Sequence, residues 1–203
     1  MSRQSVAQRP PDLRPLPVPG AWMYEPVTHH DSRGSFAEWF RDDALRAATG
    51  RSLRLMQANV SVSRHGAMRG IAFTDVPPGQ AKCVTCVSGA VLDVVVDLRQ
   101  GSPTFRTWHM ERLDADHHTA LVLSEGLAHA FLSLEDGSAL VYLLSEGHDP
   151  AREHSVHPLD PEIGIAWPAD LDPVLSAKDA SAPSLRQAMA AGLLPQYLAC
   201  TGA

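Results

Sequence analysis

Beyond residue 20 the chain runs in short stretches of alternating apolar and polar positions, cut at regular intervals by turn residues. That period of two predicts strands rather than helices. Stretches of this kind cover 22–28, 35–39, 53–63, 67–74, 82–87, 90–98, 104–111, 119–123, 128–134 and 139–144. Turn residues separate them at 64–66, 77–79, 88–89, 101–103 and 135–137. In 90–98, Leu92, Val94, Val96 and Leu98 share one face, and Asp93, Val95 and Asp97 share the other. Two acids on one strand face read as a solvated surface in preference to paired catalytic carboxylates. Two helices are expected. One spans 42–48, opened by Asp42 or Asp43 and stopped by Gly50; the other spans 184–191, with Ser184 as N-cap and Gly192 at its end. Residues 1–19 carry five prolines and little periodicity, so they read as a mobile tail ahead of a single domain over 20–203. Many short strands with few helices predict an all-β sandwich or barrel.

Composition narrows the functional classes. A chain of 203 residues with 44% hydrophobic and 20% charged residues fits one globular domain with a substantial core. The net charge of −6 excludes a general grip on nucleic acid, while leaving room for a local cationic pocket. No apolar run approaches the roughly 20 residues of a membrane span, and the N-terminus has no secretory apolar core. A cytoplasmic setting follows as the expectation. Cys83 and Cys86 lie three apart on a predicted strand, facing opposite ways, and Cys200 stands alone. The three read as reduced thiols rather than a metal or redox site. Ten histidines are many, but His29-His30 and His117-His118 are adjacent pairs, and no spacing assembles a metal site. Neither a dinucleotide-binding glycine motif nor a P-loop is present. Arg33, Arg69 and Lys82 each sit at a strand edge, where such cations could hold a pyrophosphate, although spacing alone favours ordinary surface charge. His129, in the apolar run Leu127-Ala128-His129-Ala130-Phe131, reads as a hydrogen-bonded core histidine.

Several ordered motifs add to this. They include Asp31-x-Arg33-Gly34-x-Phe36, Gln57-x-Asn59-x-Ser61-x-Ser63, Arg69-Gly70-Ile71, Lys82-x-Val84 and Gly89-Ala90-Val91-x-Asp93-Val94. Further along come Val96-Asp97-Leu98-Arg99, Gly101-Ser102-Pro103-Thr104-Phe105, Glu125-Gly126-x-Ala128-His129-x-Phe131, Ile163-Gly164-Ile165-x-Trp167-Pro168 and Leu175-Ser176-Ala177-Lys178-Asp179. In order and approximate spacing the chain resembles the dTDP-4-keto-6-deoxyhexose 3,5-epimerases, the dTDP-4-dehydrorhamnose 3,5-epimerase family. The segment 75–82, with Pro77-Pro78, is similar to the antibiotic-sugar members of actinomycete type.

The resemblance implies a cupin-like jelly-roll barrel and a homodimer whose N-terminal strands cross between subunits. It implies a dTDP-linked sugar nucleotide as ligand, with no metal and no cofactor. In the family a ketone at C4 acidifies the protons on C3 and C5. A base removes one, an enolate forms, and an acid returns a proton to the opposite face. By motif, Lys82 and Arg69 match the groups that stabilise the C4 oxyanion, Tyr142 the acid, and Asp179 the aspartate that orients the base. Arg33, Glu38, Gln57, Asn59, His129 and Lys178 match positions lining the pocket. The base itself, a histidine in the family, falls at Ala72, whose methyl group takes no proton. His148 stands where the family usually has an aromatic residue, and this second departure points to natural divergence rather than one engineered change.

Three readings follow. In the first, an epimerase has rebuilt its base from His148, Tyr142 or Asp179 acting through water. In the second, the scaffold is repurposed as a cyclase or dehydratase on another carbonyl compound. In the third, the chain is a ligand binder without catalysis. Asp179, deprived of its imidazole, is expected to pair with Arg69, Lys82 or water.

Overall fold

The computed structural model describes residues 12–170 and 172–201. Its strands form two facing antiparallel sheets. Strands β1 (Asp12–Pro15), β2 (Ala21–Glu25), β10 (Ala120–Leu123), β7 (Lys82–Ser88), β12 (Ser138–Leu144) and β5 (Gln57–Ser63) make the first, in that spatial order. Strands β13 (Glu153–Ser155), β6 (Met68–Thr74), β11 (Ala128–Ser133), β8 (Ala90–Val96) and β9 (Trp108–Asp114) make the second. A separate hairpin joins β3 (Thr28–Asp31) to β4 (Gly34–Ala37). The helices are α1 (Asp42–Thr49), α2 (Ala177–Ala180), α3 (Leu185–Ala190) and α4 (Tyr197–Thr201). This is the all-β jelly-roll class expected. No helix among the described residues is long and apolar enough to cross a membrane.

The helix ends follow their capping chemistry. Gly50 stops α1 at φ 73°, and Ser184 opens α3 with a full capping box to Gln187. Strand β1 corrects the expected tail. Its residues pair with β2 from Asp12 to Pro15, and Leu16 and Val18 are buried, so ordered structure begins inside 1–19. Residues 1–11 lie outside the described part. Prolines hid this strand because they break the alternation without preventing pairing at a sheet edge, and β1 is an edge.

Three apolar layers hold the sheets. The central one lies between them, with Met23, Val84, Leu121 and Leu140 from one sheet facing Val91, Val95, Leu113 and Phe131 from the other. A second covers the outer face of the five-stranded sheet, where Ile71, Phe73, Val94 and Ala130 pack under Val156, Ile163, Leu185 and Leu194. The third places Leu45 of α1 and Leu53 over Tyr24, Cys83 and Val122. Strand β8 is therefore covered on both sides. That overturns the solvated reading of the acids: Asp93 in β8 and Asp97, just past its end, are both 0% exposed. Asp97 accepts hydrogen bonds from Arg99, Ser102 and Thr104, a set that offsets its desolvation.

Candidate active site

One end of the barrel interior opens into a cavity of about 180 Å³. Cross-strand register explains its lining. On the six-stranded sheet, Lys82, Leu144 and Gln57 form one row across β7, β12 and β5. Val84, Tyr142 and Asn59 form the next. On the facing sheet, Ser155, Ala72, His129 and Val95 make a row across β13, β6, β11 and β8. Directly opposed residues share a face. The rows thus bring Lys82, Gln57, Asn59, Tyr142, Ala72 and His129 to one cavity.

Arg69 joins them through an irregularity. His129 pairs with Ala72 but Phe131 pairs with Arg69, so β6 carries one residue more than β11. The extra residue breaks the alternation, and positions three apart both line the cavity. Gly70 sits at this bulge with φ 97°.

The electrostatics divide into an inner and an outer part. Inside, His129 Nε2 lies 2.8 Å from Asp93 Oδ1, and both residues are at least nine-tenths buried. Withdrawal from water lowers the Lys82 pKa, opposed by the nearby charges of Glu153 and Asp93. Burial raises the Tyr142 phenol well above its ordinary value, so it is held protonated. The rings of His129 and Tyr142 meet edge to face with centroids 6.0 Å apart. At the mouth, His148 donates its backbone N–H to Gln57 Oε1 at 2.8 Å, and its Nδ1 lies 2.7 Å from Glu153 Oε1. Lys178 Nζ stands 3.8 Å from Glu153 Oε2, so it reaches the mouth without lining the cavity.

Other expected site residues stand elsewhere in the single chain. Arg33 is exposed on the β3–β4 hairpin, ion-paired with Asp31. Glu38 is exposed, follows that hairpin, and lies beside Arg41. Asp179 takes a local partner instead of the two cations expected for it. Its carboxylate accepts from Ser176 Oγ at 2.8 Å in the first turn of α2, and it pairs with neither Arg69 nor Lys82. Two site groups escaped the sequence reading, Asp93 and Glu153. Asp93 was legible from Val95 between two acids, since apolar residues on both faces mark a strand buried on both sides. Glu153 lies on a three-residue polar strand that carries no hydrophobic signal.

Comparison with known proteins fits this geometry. The sequence model of the dTDP-4-dehydrorhamnose 3,5-epimerase family matches residues 15–187. The chain belongs to the dTDP-4-dehydrorhamnose 3,5-epimerase family. It is 55% identical over 187 residues to the dTDP-4-dehydro-6-deoxyglucose 3-epimerase of Streptomyces bikiniensis, covering 92% of this chain and 95% of that one. NovW, a 4-keto-6-deoxy sugar epimerase from the novobiocin biosynthetic gene cluster of Streptomyces spheroides, superimposes with TM-score 0.91 at 53% identity, over 94% of this chain and 95% of that one. ChmJ, a 3'-monoepimerase from Streptomyces bikiniensis in complex with dTDP-quinovose, does so with TM-score 0.91 at 54% identity, over 93% and 96%. The epimerase fold is thus kept over nearly the whole chain, Ala72 included.

Proposed function

We propose that this protein is an isomerase that binds a dTDP-linked 4-keto-6-deoxyhexose and exchanges a proton beside its ketone, in the making of a deoxysugar for an antibiotic. The observation that carries this is the meeting of Lys82, Arg69 and Tyr142 in one cavity. The ammonium and guanidinium oppose the negative charge that develops on the C4 oxygen; Lys82 is withdrawn from water, where its charge acts strongly, while Arg69 reaches the cavity from an exposed position. A phenol held protonated beside them is suited to donate a proton rather than take one. That separates Tyr142 from the base role it had been offered. The cavity of about 180 Å³ takes the sugar ring, and the nucleotide lies over the mouth, along Gln57, Asn59 and His148.

The positions of Arg33 and Glu38 support a homodimer. Both sit on or just after an exposed hairpin that stands apart from the chain's own cavity, where a segment serving a partner would lie. The test of the main reading is incubation with dTDP-4-keto-6-deoxyglucose in deuterated water. NMR is expected to show deuterium entering C3 or C5 well above the buffer rate. Exchange no faster than buffer, with dTDP still bound by calorimetry, would leave a binder.

A further inference from the structure

We infer that His129, oriented by Asp93, is the group that takes the proton from the sugar, in place of the imidazole absent at Ala72. The inference rests on the sugar-ketone reading above. Five histidine–carboxylate contacts occur among the described residues, involving His109, His117, His129, His148 and His154. His129–Asp93 is the one whose two side chains are both buried, at 6% and 0% exposure. His129 also lines the cavity and stands directly across the ladder from Ala72. Opposed side chains share a face at about 5 Å between Cβ atoms, so its ring borders the space left by the small residue.

The hydrogen bonding fits a base better than a core histidine. An ionised carboxylate only accepts, so the contact with Asp93 Oδ1 fixes the proton on Nε2. Nδ1 is left with its lone pair free, and it makes no hydrogen bond among the described residues. Asp93 Oδ2 is buried with no hydrogen-bond partner among the described residues. A pair kept only for packing would have its polar atoms satisfied. An underused buried carboxylate instead gains a favourable partner when His129 becomes positively charged.

The step balances without a further reactant. The C–H bond beside the ketone breaks and its proton goes to Nδ1 of His129. The electron pair forms the carbon–carbon double bond of the enolate, and the carbonyl pair moves to the C4 oxygen, facing Lys82. A proton returned to that carbon re-forms the ketone. Return to the opposite face inverts the centre, and return to the same face restores it. In deuterated water both mark the carbon, so exchange reads abstraction alone. The charged or titratable groups around His129 are Asp93 on β8, Arg69 on β6, Lys82 on β7, Tyr142 on β12, and Glu153 with His148 at the mouth.

The test is solvent exchange of the same ketosugar in the full-length protein and in His129→Gln, whose amide can still donate to Asp93. Exchange is expected to fall at least a hundredfold in the variant, with dTDP affinity within threefold. A fall of less than tenfold overturns the inference while leaving the sugar-ketone reading intact. Absence of exchange in the unmutated protein overturns both. Should His129→Gln fail to bind dTDP, His148→Gln decides, because His129 and His148 are the two histidines lining the cavity. Its exchange is expected still to fall as the pH is lowered through the imidazole range. Loss of that inflection would assign the base to His148, or to no histidine, and overturn the inference. As a positioning residue, Asp93 is tested by Asp93→Asn, which is expected to move the inflection to lower pH with KM unchanged. An unmoved inflection removes Asp93 from the mechanism.

Discussion

Arg69 and Ala72 face the same cavity although three residues apart on one strand, where a regular pleat would send them to opposite faces. The bulge at Gly70 makes this geometry. At φ 97°, a Cβ on residue 70 would run into the backbone carbonyl of His129 and stand 2.9 Å from Ala130 Cα. Gly70→Ala is therefore expected to destabilise the fold by about 2–5 kcal/mol, from left-handed strain plus a backbone clash. Urea titration would measure this. A change below about 1 kcal/mol would mean that β6 and β11 separate easily, and that the bulge does not hold the site.

Lys82 shares a cross-strand row with Leu144 and Gln57, and in the function proposed above its charge faces the sugar ketone. Lys82→Met is expected to lower exchange about 10²–10³-fold with little change in dTDP binding, as for loss of one oxyanion-stabilising group. The pH dependence has a definite sign. Burial lowers the Lys82 pKa, so the ammonium loses its proton below the ordinary lysine value of about 10.4. Exchange should then decline on the alkaline side before that value is reached. Lys82→Arg, always charged, should move that decline upward. An alkaline limb identical in the Lys and Arg proteins would show that another group sets it.

Much of this was legible in the sequence. Strands β5 to β8 and β10 to β12 follow from alternation, and Gly50 and Ser184 mark helix ends by their own conformational chemistry. The converging site residues Lys82, Tyr142, Arg69 and His129 came from motif resemblance, because single-strand patterns do not reveal which rows face each other. What stayed hidden has a common cause. Asp93 and Asp97 look solvated when the apolar face at 92, 94, 96 and 98 is taken as the core side, although Val95 between them hints otherwise; the face that they share with Val95 is closed by the opposing sheet, with Met23, Val84, Leu121 and Leu140 drawn from distant parts of the chain. Asp179 is expected by its motif to seek Arg69 or Lys82, but the same Ser-x-x-Asp spacing is also a helix-capping signal, and its carboxylate accepts from Ser176 at the start of α2.

Ala72 offers a gain-of-function test that complements the loss at His129. Ala72→His places a second imidazole on the same face of the sheet, beside the first. A positioned general base contributes about 10²–10⁴ in rate, or roughly 3–5 kcal/mol of barrier. The variant is expected to exchange the ketosugar at least tenfold faster than the unmutated protein, and to restore exchange to His129→Gln. The readout is again deuterium incorporation by NMR. No gain in either background would show that the reacting carbon does not come near residue 72, and the sugar pose would have to be redrawn.

The buried pair of Asp97 and Arg99 gives a stability prediction with its own pH signature. Arg99 Nε lies 2.9 Å from Asp97 Oδ1, its Nη2 is 2.9 Å from Oδ2, and both side chains are almost fully excluded from water. Desolvation alone would raise the Asp97 pKa, but the hydrogen bonds from Arg99, Ser102 and Thr104 outweigh it, and the net shift is downward. A carboxylate with a depressed folded pKa contributes stability that is fully present above its unfolded value, about 3.9, and is lost as the pH falls through the folded value. Asp97→Asn removes that contribution and leaves Arg99 buried without a counter-charge, at a cost of about 3–5 kcal/mol near neutral pH. The gap in unfolding free energy between the two proteins should stay constant above about pH 5 and narrow as the pH is lowered further, because the unmutated Asp97 is then neutralised as well. Urea titrations at pH 7 and pH 3 would measure both ends. A gap that widens in acid would mean that Asp97 is already protonated in the folded protein, with Arg99 held by the Pro19 carbonyl instead, to which its Nη2 donates at 2.8 Å.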